Sequence, residues 1–176
     1  MASKERNYAA LLKTIRSVQA DFIAERGPSE VFEGLLKHLL SISRSEYGFI
    51  CQVLHDNDGA FLKTHAISNI AWNDDTREFY ATNAPDGLEF RNLETLFGQV
   101  IVTGEPVIAN EPSTDSRSGG LPEGHPDLNA FLGIPLYHGS EMIGMAGIAN
   151  HEGGYDKDDV EFLQPLLATT AHLIDA

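Results

Sequence analysis

The chain has 176 residues, 42% hydrophobic and 22% charged, which fits one globular domain with enough apolar material for a core. Its 12 basic against 26 acidic residues leave a formal charge of −14, which repels phosphate backbones and anionic lipid, so neither nucleic acid nor a membrane surface is expected as a partner. The single cysteine, Cys51, rules out an internal disulfide and any CxxC metal or redox pair. With no apolar run of membrane-spanning length and no signal peptide, a cytoplasmic location is expected.

Tyr8, Leu11, Leu12, Ile15, Val18 and Phe22 recur at helical spacing, which predicts an amphipathic helix over residues 5–25. Gly27-Pro28 breaks it and opens a second helix striped by Phe32, Leu35, Leu36, Leu39 and Ile42, ending near Arg44. Residues 47–54 are a compact apolar run of strand type. Asn57-Asp58-Gly59 is a hairpin signal, and residues 61–70 return as the second strand. A short helical pattern follows over 72–88, with Asp74, Asp75 and Thr76 at its start and Pro85 at its stop. Leu93, Leu96, Phe97, Val100 and Ile101 make another short helix, closed by Gly104. Residues 106–109 suit an edge strand, because Pro106 has no amide to donate.

The stretch 106–150 organises the rest. Residues 110–126 lack apolar periodicity and are dominated by Gly, Pro, Ser, Asp and Glu; a loop that long in a compact domain is usually a lid or a binding loop. It leads into two apolar runs, 130–137 and 142–149, joined through Gly139-Ser140 in hairpin fashion. Asp156, with Asp159 three positions on, makes a weakened capping box. The helix it opens is striped by Val160, Leu163, Leu167, Thr170, Leu173 and Ile174, and Pro165 is expected to bend it. Helix, helix, hairpin, short helices, edge strand, hairpin, helix: that order predicts an α+β fold with an antiparallel sheet and helices mainly on one face.

Several short motifs punctuate this order. They are Gly104-Glu105-Pro106-Val107, Gly120-Leu121-Pro122, Gly124-His125-Pro126, Phe131-Leu132-Gly133-Ile134-Pro135-Leu136, Ile143-Gly144-Met145, Ala149-Asn150 and Gly153-Gly154-Tyr155. In this order and spacing they make the chain, over residues 28–174, resemble the GAF family of small-molecule sensor domains. The resemblance implies a central, mainly antiparallel sheet of about five to six strands. Terminal helices would pack on one face, with the ligand pocket, short helices and long loop on the other. It also implies a division into an N-terminal signalling helix, 1–26, and the domain proper, 27–176. Ligand occupancy would pass through the terminal helices to an output kinase or cyclase domain, in the same or a partner chain, as in two-component signalling. A parallel homodimer is expected, with apolar surface left over at Leu11, Ile15, Val18 and Leu163, Leu167, Leu173. The last helix has no Gly or Pro stop, which fits the sensor piece of a longer protein.

The candidate site gathers around the long loop. Small-ligand pockets are mostly apolar with a few placed polar groups. A stack of rings is more often core, but the fold implied by the resemblance puts Trp72, Phe90, Phe97 and Phe131 around a cavity. Asn110, Asp115, Arg117 and His125 would orient the ligand. Arg117 can fork a carboxylate or phosphate, or simply close the loop against Asp115. His125, fixed by Pro126, can bind a ligand or hydrogen-bond the loop backbone. Gly120, Leu121 and Gly133 complete the expected lining, the glycines by allowing close backbone approach. The remaining histidines lack metal-ligand spacing, so no metal site is expected. An anionic ligand would need Arg117 and a protonated His125, whereas a neutral heterocycle or amino-acid-sized metabolite needs only hydrogen bonds and is the expected unknown small molecule.

Other readings follow from departures from the family's patterns. Cys51, between Ile50 and Gln52, reads as buried and inert. GAF proteins that reduce methionine sulfoxide resemble one another in using several cysteines, so no enzyme is expected and a redox enzyme built on Cys51 is the weakest alternative. Bilin-binding GAF domains attach pigment through a cysteine commonly beside a histidine. Here Gly124 precedes His125, so no covalent bilin is expected; nor is a haem. Cyclic-nucleotide GAF domains often carry Asn-Lys…Phe…Asp-Glu. The match here is Asn150-His151…Tyr155…Asp159-Val160, with His for Lys and Val for Glu. That weakens the Lys–Asp pair and leaves a cyclic nucleotide as an alternative ligand. A ligand-free dimerisation module is the alternative of another class.

Overall fold

The structure is a computed structural model that describes residues 6–24, 26–68, 74–83, 86–121 and 125–175. Asn7 caps α1 (Tyr8–Ile23), its side chain accepting the Ala10 amide at 2.9 Å. Pro28 occupies the first turn of α2 (Pro28–Ser43), where a missing amide removes no helical bond. β1 (Tyr47–Asp56) turns back into β2 (Gly59–Ile67), with the Asp56 carboxylate accepting the Asp58 amide inside the turn. α3 (Asp74–Asn83), β3 (Glu89–Phe90), α4 (Leu96–Thr103) and β4 (Val107–Ala109) follow. The long loop then leads to the hairpin β5 (Phe131–His138) and β6 (Glu141–Ala149). Gly139, at φ +61°, supplies the positive φ its two-residue turn requires.

All six strands pair antiparallel in one sheet of order β3-β2-β1-β6-β5-β4. The α+β expectation is therefore met, with β4 at an edge as expected. The opposite edge, β3, spans two residues, too few to carry any periodicity. The last helix, α5 (Lys157–Asp175), continues through Pro165. Its start is a reciprocal box: the Asp156 amide donates to Asp159 Oδ2 at 2.9 Å and the Asp159 amide to Asp156 Oδ1 at 3.0 Å.

Strand alternation divides the core in two. Ile50, Leu132, Ile134, Leu136, Ala146 and Ile148 point to one face. There they meet Phe32, Leu35, Leu36 and Leu39 of α2 and Phe162, Leu163, Leu166 and Leu167 of α5, with Leu11 and Val18 of α1 behind. Cys51, Met145, Phe131 and Leu62 point to the other face, where they meet Leu96 and Val100 of α4. One part of the surface expectation is corrected here. Leu11, Val18, Leu163 and Leu167 are 1–2% exposed and belong to the core. The apolar surface left over on α1 is instead Tyr8, Leu12, Phe22 and Ile23, at 46–78% exposure. The reason is that α1 has apolar residues around much of its circumference, and α2 and α5 take the narrower stripe.

Candidate functional site

Opposite α2 and α5, the sheet carries a cavity of about 590 Å³. β1 contributes Tyr47 and Phe49, β5 Phe131, and β6 Gly147 and Ala149. Ile67, Ser68, Leu88 and Phe90 line it from the β2–β3 side. Asn92, Thr95, Leu96 and Phe97 line it from the start of α4, where Thr95 caps the helix by accepting the Gly98 amide at 3.0 Å. Residues 118–121, His125 and Leu128 of the long loop complete the lining. Phe49, Phe90 and Phe97 touch one another, with ring centroids 5.6–6.2 Å apart in tilted and edge-on pairs. Phe49 packs directly over β6 because Gly147 lacks a side chain: a Cβ there would stand 2.5 Å from the Phe49 ring. Gly133 does the same for α4, since its Cβ would meet Val100 at 2.7 Å.

Of the expected site residues, Phe90, Phe97, Gly120, Leu121, His125 and Phe131 line this cavity. Trp72 lies outside the described residues. Gly133 supports α4 rather than facing the cavity. Asn110, Asp115 and Arg117 make hydrogen bonds within the protein and do not line the cavity. Asn110 accepts the Tyr155 amide at 2.8 Å and donates to the Tyr155 carbonyl at 3.0 Å. Arg117 donates to both Asp115 oxygens, at 2.9 and 2.6 Å, and to the Ile108 carbonyl at 2.9 Å. The guanidinium holds the Asp115 carboxyl down at about 2. His125 takes its loop-bonding role, with Nδ1 2.7 Å from the Pro126 carbonyl, and meets Tyr47 edge-on at 5.8 Å. Tyr47, Phe49, Ser68, Leu88, Thr95, Leu128 and Ala149 were not singled out in the sequence. For Tyr47 and Phe49 the available signal was the period of two that puts them on the Cys51 side of β1.

The signature-like residues hold loops together. Asn150, left-handed at φ +62°, accepts the Asn129 amide and donates to the Asp127 carbonyl and Glu46, at 2.7–2.9 Å. The Tyr155 hydroxyl meets Ser45 at 2.7 Å and accepts the His151 amide at 3.2 Å; burial pushes its pKa up to about 12. Asp159 pairs with Arg6, at 3.1 Å, and Arg6 also reaches Asp156 at 2.7 Å. The arginine that serves Asp159 thus comes from the far N-terminal end of the described chain.

A model of the GAF domain matches residues 25–175. The chain belongs to the GAF domain family. A curated relative, a methyl sulfide methyltransferase-associated sensor of Methanosarcina acetivorans, is 32% identical over 80 residues, 45% of this chain and 8% of that protein. The chain thus spans a small part of that relative. Among solved structures, the GAF domain of a phosphoenolpyruvate-protein phosphotransferase from Coxiella burnetii superposes with a TM-score of 0.73 at 19% identity, covering 96% of this chain and 95% of that one. A free methionine-R-sulfoxide reductase from Neisseria meningitidis, solved with its substrate, superposes at 0.68 with 12% identity, covering 99% and 95%. At these identities the GAF fold is what is shared. No helix among the described residues is long and apolar enough to cross a membrane.

Proposed function

We propose that this GAF domain is the sensory part of a signal-transduction protein, binding a small molecule in the 590 Å³ cavity and relaying its occupancy through the terminal helices. The observation that carries this reading is the path from the loop to the helices. Residues 118–121 line the cavity, and the same loop begins at Asn110, which grips the Tyr155 backbone on both sides. Tyr155 leads directly into the Asp156–Asp159 box of α5, and Arg6 fastens that box to the start of α1. A ligand that shifts the loop thereby bears on both terminal helices. Residues 1–26 act as the signalling segment and 27–176 as the sensor. The exposed Tyr8, Leu12, Phe22 and Ile23 support a homodimer through α1, with a kinase or cyclase as the output. Sedimentation as a monomer at high micromolar concentration would remove the dimer from this scheme.

A sulfoxide reductase fold lies among the structural neighbours, yet we place no catalysis in this chain. Cys51 is fully buried and does not line the cavity, and burial pushes its thiol up, away from the reactive thiolate. With no cysteine in the lining, the ligand is held without a thioether bond, which also sets aside a covalently attached bilin. A cyclic nucleotide is the second reading for the ligand, supported only by Asn150, Tyr155 and Asp159 in the signature order.

Native mass spectrometry of protein purified from its own host tests occupancy of the cavity. Hydrogen exchange with and without the ligand so found tests the relay. Protection should extend from residues 110–121 to the first turns of α1 and α5, and Asn110→Ala should confine it to the loop. Since that substitution leaves the buried Tyr155 peptide group without partners, it should also cost about 1–3 kcal/mol of stability. Protection limited to the loop and α4 in the unaltered protein would refute the relay.

A further inference from the structure

We propose that the cavity selects an uncharged, largely apolar ring system of about two or three fused rings; this rests on the cavity being the ligand site. Three observations define the class. First, the lining is dominated by rings. Phe49, Phe90 and Phe97 are only partly buried and form one continuous wall, faced by Phe131 and Leu128. Flat apolar ligands gain both buried area and ring contacts on such a wall.

Second, the described lining holds no Arg, Lys, Asp or Glu. The cation closest in sequence to the lining loop, Arg117, is taken up by Asp115 and the Ile108 carbonyl. The polar lining groups are Tyr47, Ser68, Asn92, Thr95, Ser118 and His125. Each has a protein partner: Ser68 accepts the Gly48 amide, Asn92 the Glu94 amide, Thr95 the Gly98 amide and Ser118 the Gly120 amide, Tyr47 donates to the Asp127 carbonyl, and His125 Nδ1 lies 2.7 Å from the Pro126 carbonyl. Burial, with Glu46 next, pushes Tyr47 up to about 12, so it remains a neutral hydroxyl at physiological pH. These groups can orient a carbonyl or ring nitrogen but supply no permanent counter-charge, and a buried charge without one is strongly disfavoured.

Third, the three phenylalanines are in mutual contact at 5.6–6.2 Å. They form a wall rather than an open box around a point charge, so a cation gains little from them. An anion additionally meets a chain of formal charge −14.

The test uses three ligands with one ring system and three charges: indole-3-carbaldehyde (neutral), indole-3-acetate (anionic) and tryptamine (cationic). Titration calorimetry of the full chain near pH 7.5 should find the aldehyde bound about tenfold or more tightly than either ion, with no dependence on salt. Leu128→Trp, which fills the cavity, should weaken the aldehyde by a similar factor while melting as a folded protein; Ala149→Leu serves if it does not fold. Equal or tighter binding of either ion, still lost on filling the cavity, overturns the neutral class and leaves the site standing. Binding that survives filling of the cavity overturns the site, and the class with it. No binding of any of the three at about millimolar concentration also overturns the proposed class, because the wall is sized for this ring.

Discussion

The two faces of the same sheet are built from the same strands and come out opposite. Toward α2 and α5 the strands present Ile50, Leu132, Ile134, Leu136 and Ile148, and two long helices close over them with Leu35, Leu39, Leu163 and Leu166, none more than 2% exposed. Toward α4 the strands present Phe49, Phe131, Gly133 and Gly147, and the cover is one short helix and a loop. Branched aliphatic side chains from two sides interdigitate closely. Rings over glycines with a loop above them leave a pocket. One face supplies the stability and the other retains space, which is the usual division between scaffold and site.

The sharpest way to break this contrast is to cut the same kind of hole in each face. Leu166→Ala, on the closed face at 0% exposure, should cost about 2–5 kcal/mol in urea unfolding, because its packed neighbours cannot collapse into the gap. Phe97→Ala, on the open face, should cost only about 1–2 kcal/mol, since its ring already borders empty space. It should nevertheless lower affinity for indole-3-carbaldehyde by about tenfold by removing part of the wall. Equal losses of stability would mean that the two faces are one continuous core.

The closed face also carries a titratable ring. His65 stacks on Phe32 of α2 at 4.4 Å, its Nε2 buried with no hydrogen-bond partner in the structure, and its pKa is lowered first by burial and then by Lys63. Because the folded pKa lies below the ordinary value of 6.5, the unfolded chain binds the proton more readily. The neutral ring's contribution is therefore complete above 6.5 and is lost as the pH falls through the lowered value. Melting temperature should drop between neutral pH and about pH 5, and His65→Phe should shallow that slope. An unchanged slope would mean that His65 reaches water on protonation.

The smallest effect is expected at Cys51, which sits under the open face yet is sealed from the cavity at 0% exposure. A small disulfide reagent should label it no faster than the protein unfolds, with or without ligand. Rapid labelling of native protein would connect the thiol to the pocket and reopen redox chemistry.

Local pattern was enough for most of the scaffold. Helices α1, α2 and α5 were legible because a buried face repeats at 3.6 residues whatever it packs against. The two hairpins and the Asp156–Asp159 box follow from turn and cap chemistry that acts within a few residues. The long loop was legible from its length and composition, whereas the rings Phe90, Phe97 and Phe131 were candidates only through the resemblance to the GAF family. What each polar residue does was decided only by tertiary structure. Asn110 and Arg117 have the same hydrogen-bonding groups whether they meet a ligand or a backbone, and the path of the chain brought them to Tyr155, Asp115 and Ile108 instead. Asp159 needed a cation, and the signature order suggested His151. Folding supplied Arg6 from 153 residues away, because packing α1 beside α5 puts their first turns together, and no local pattern encodes that encounter.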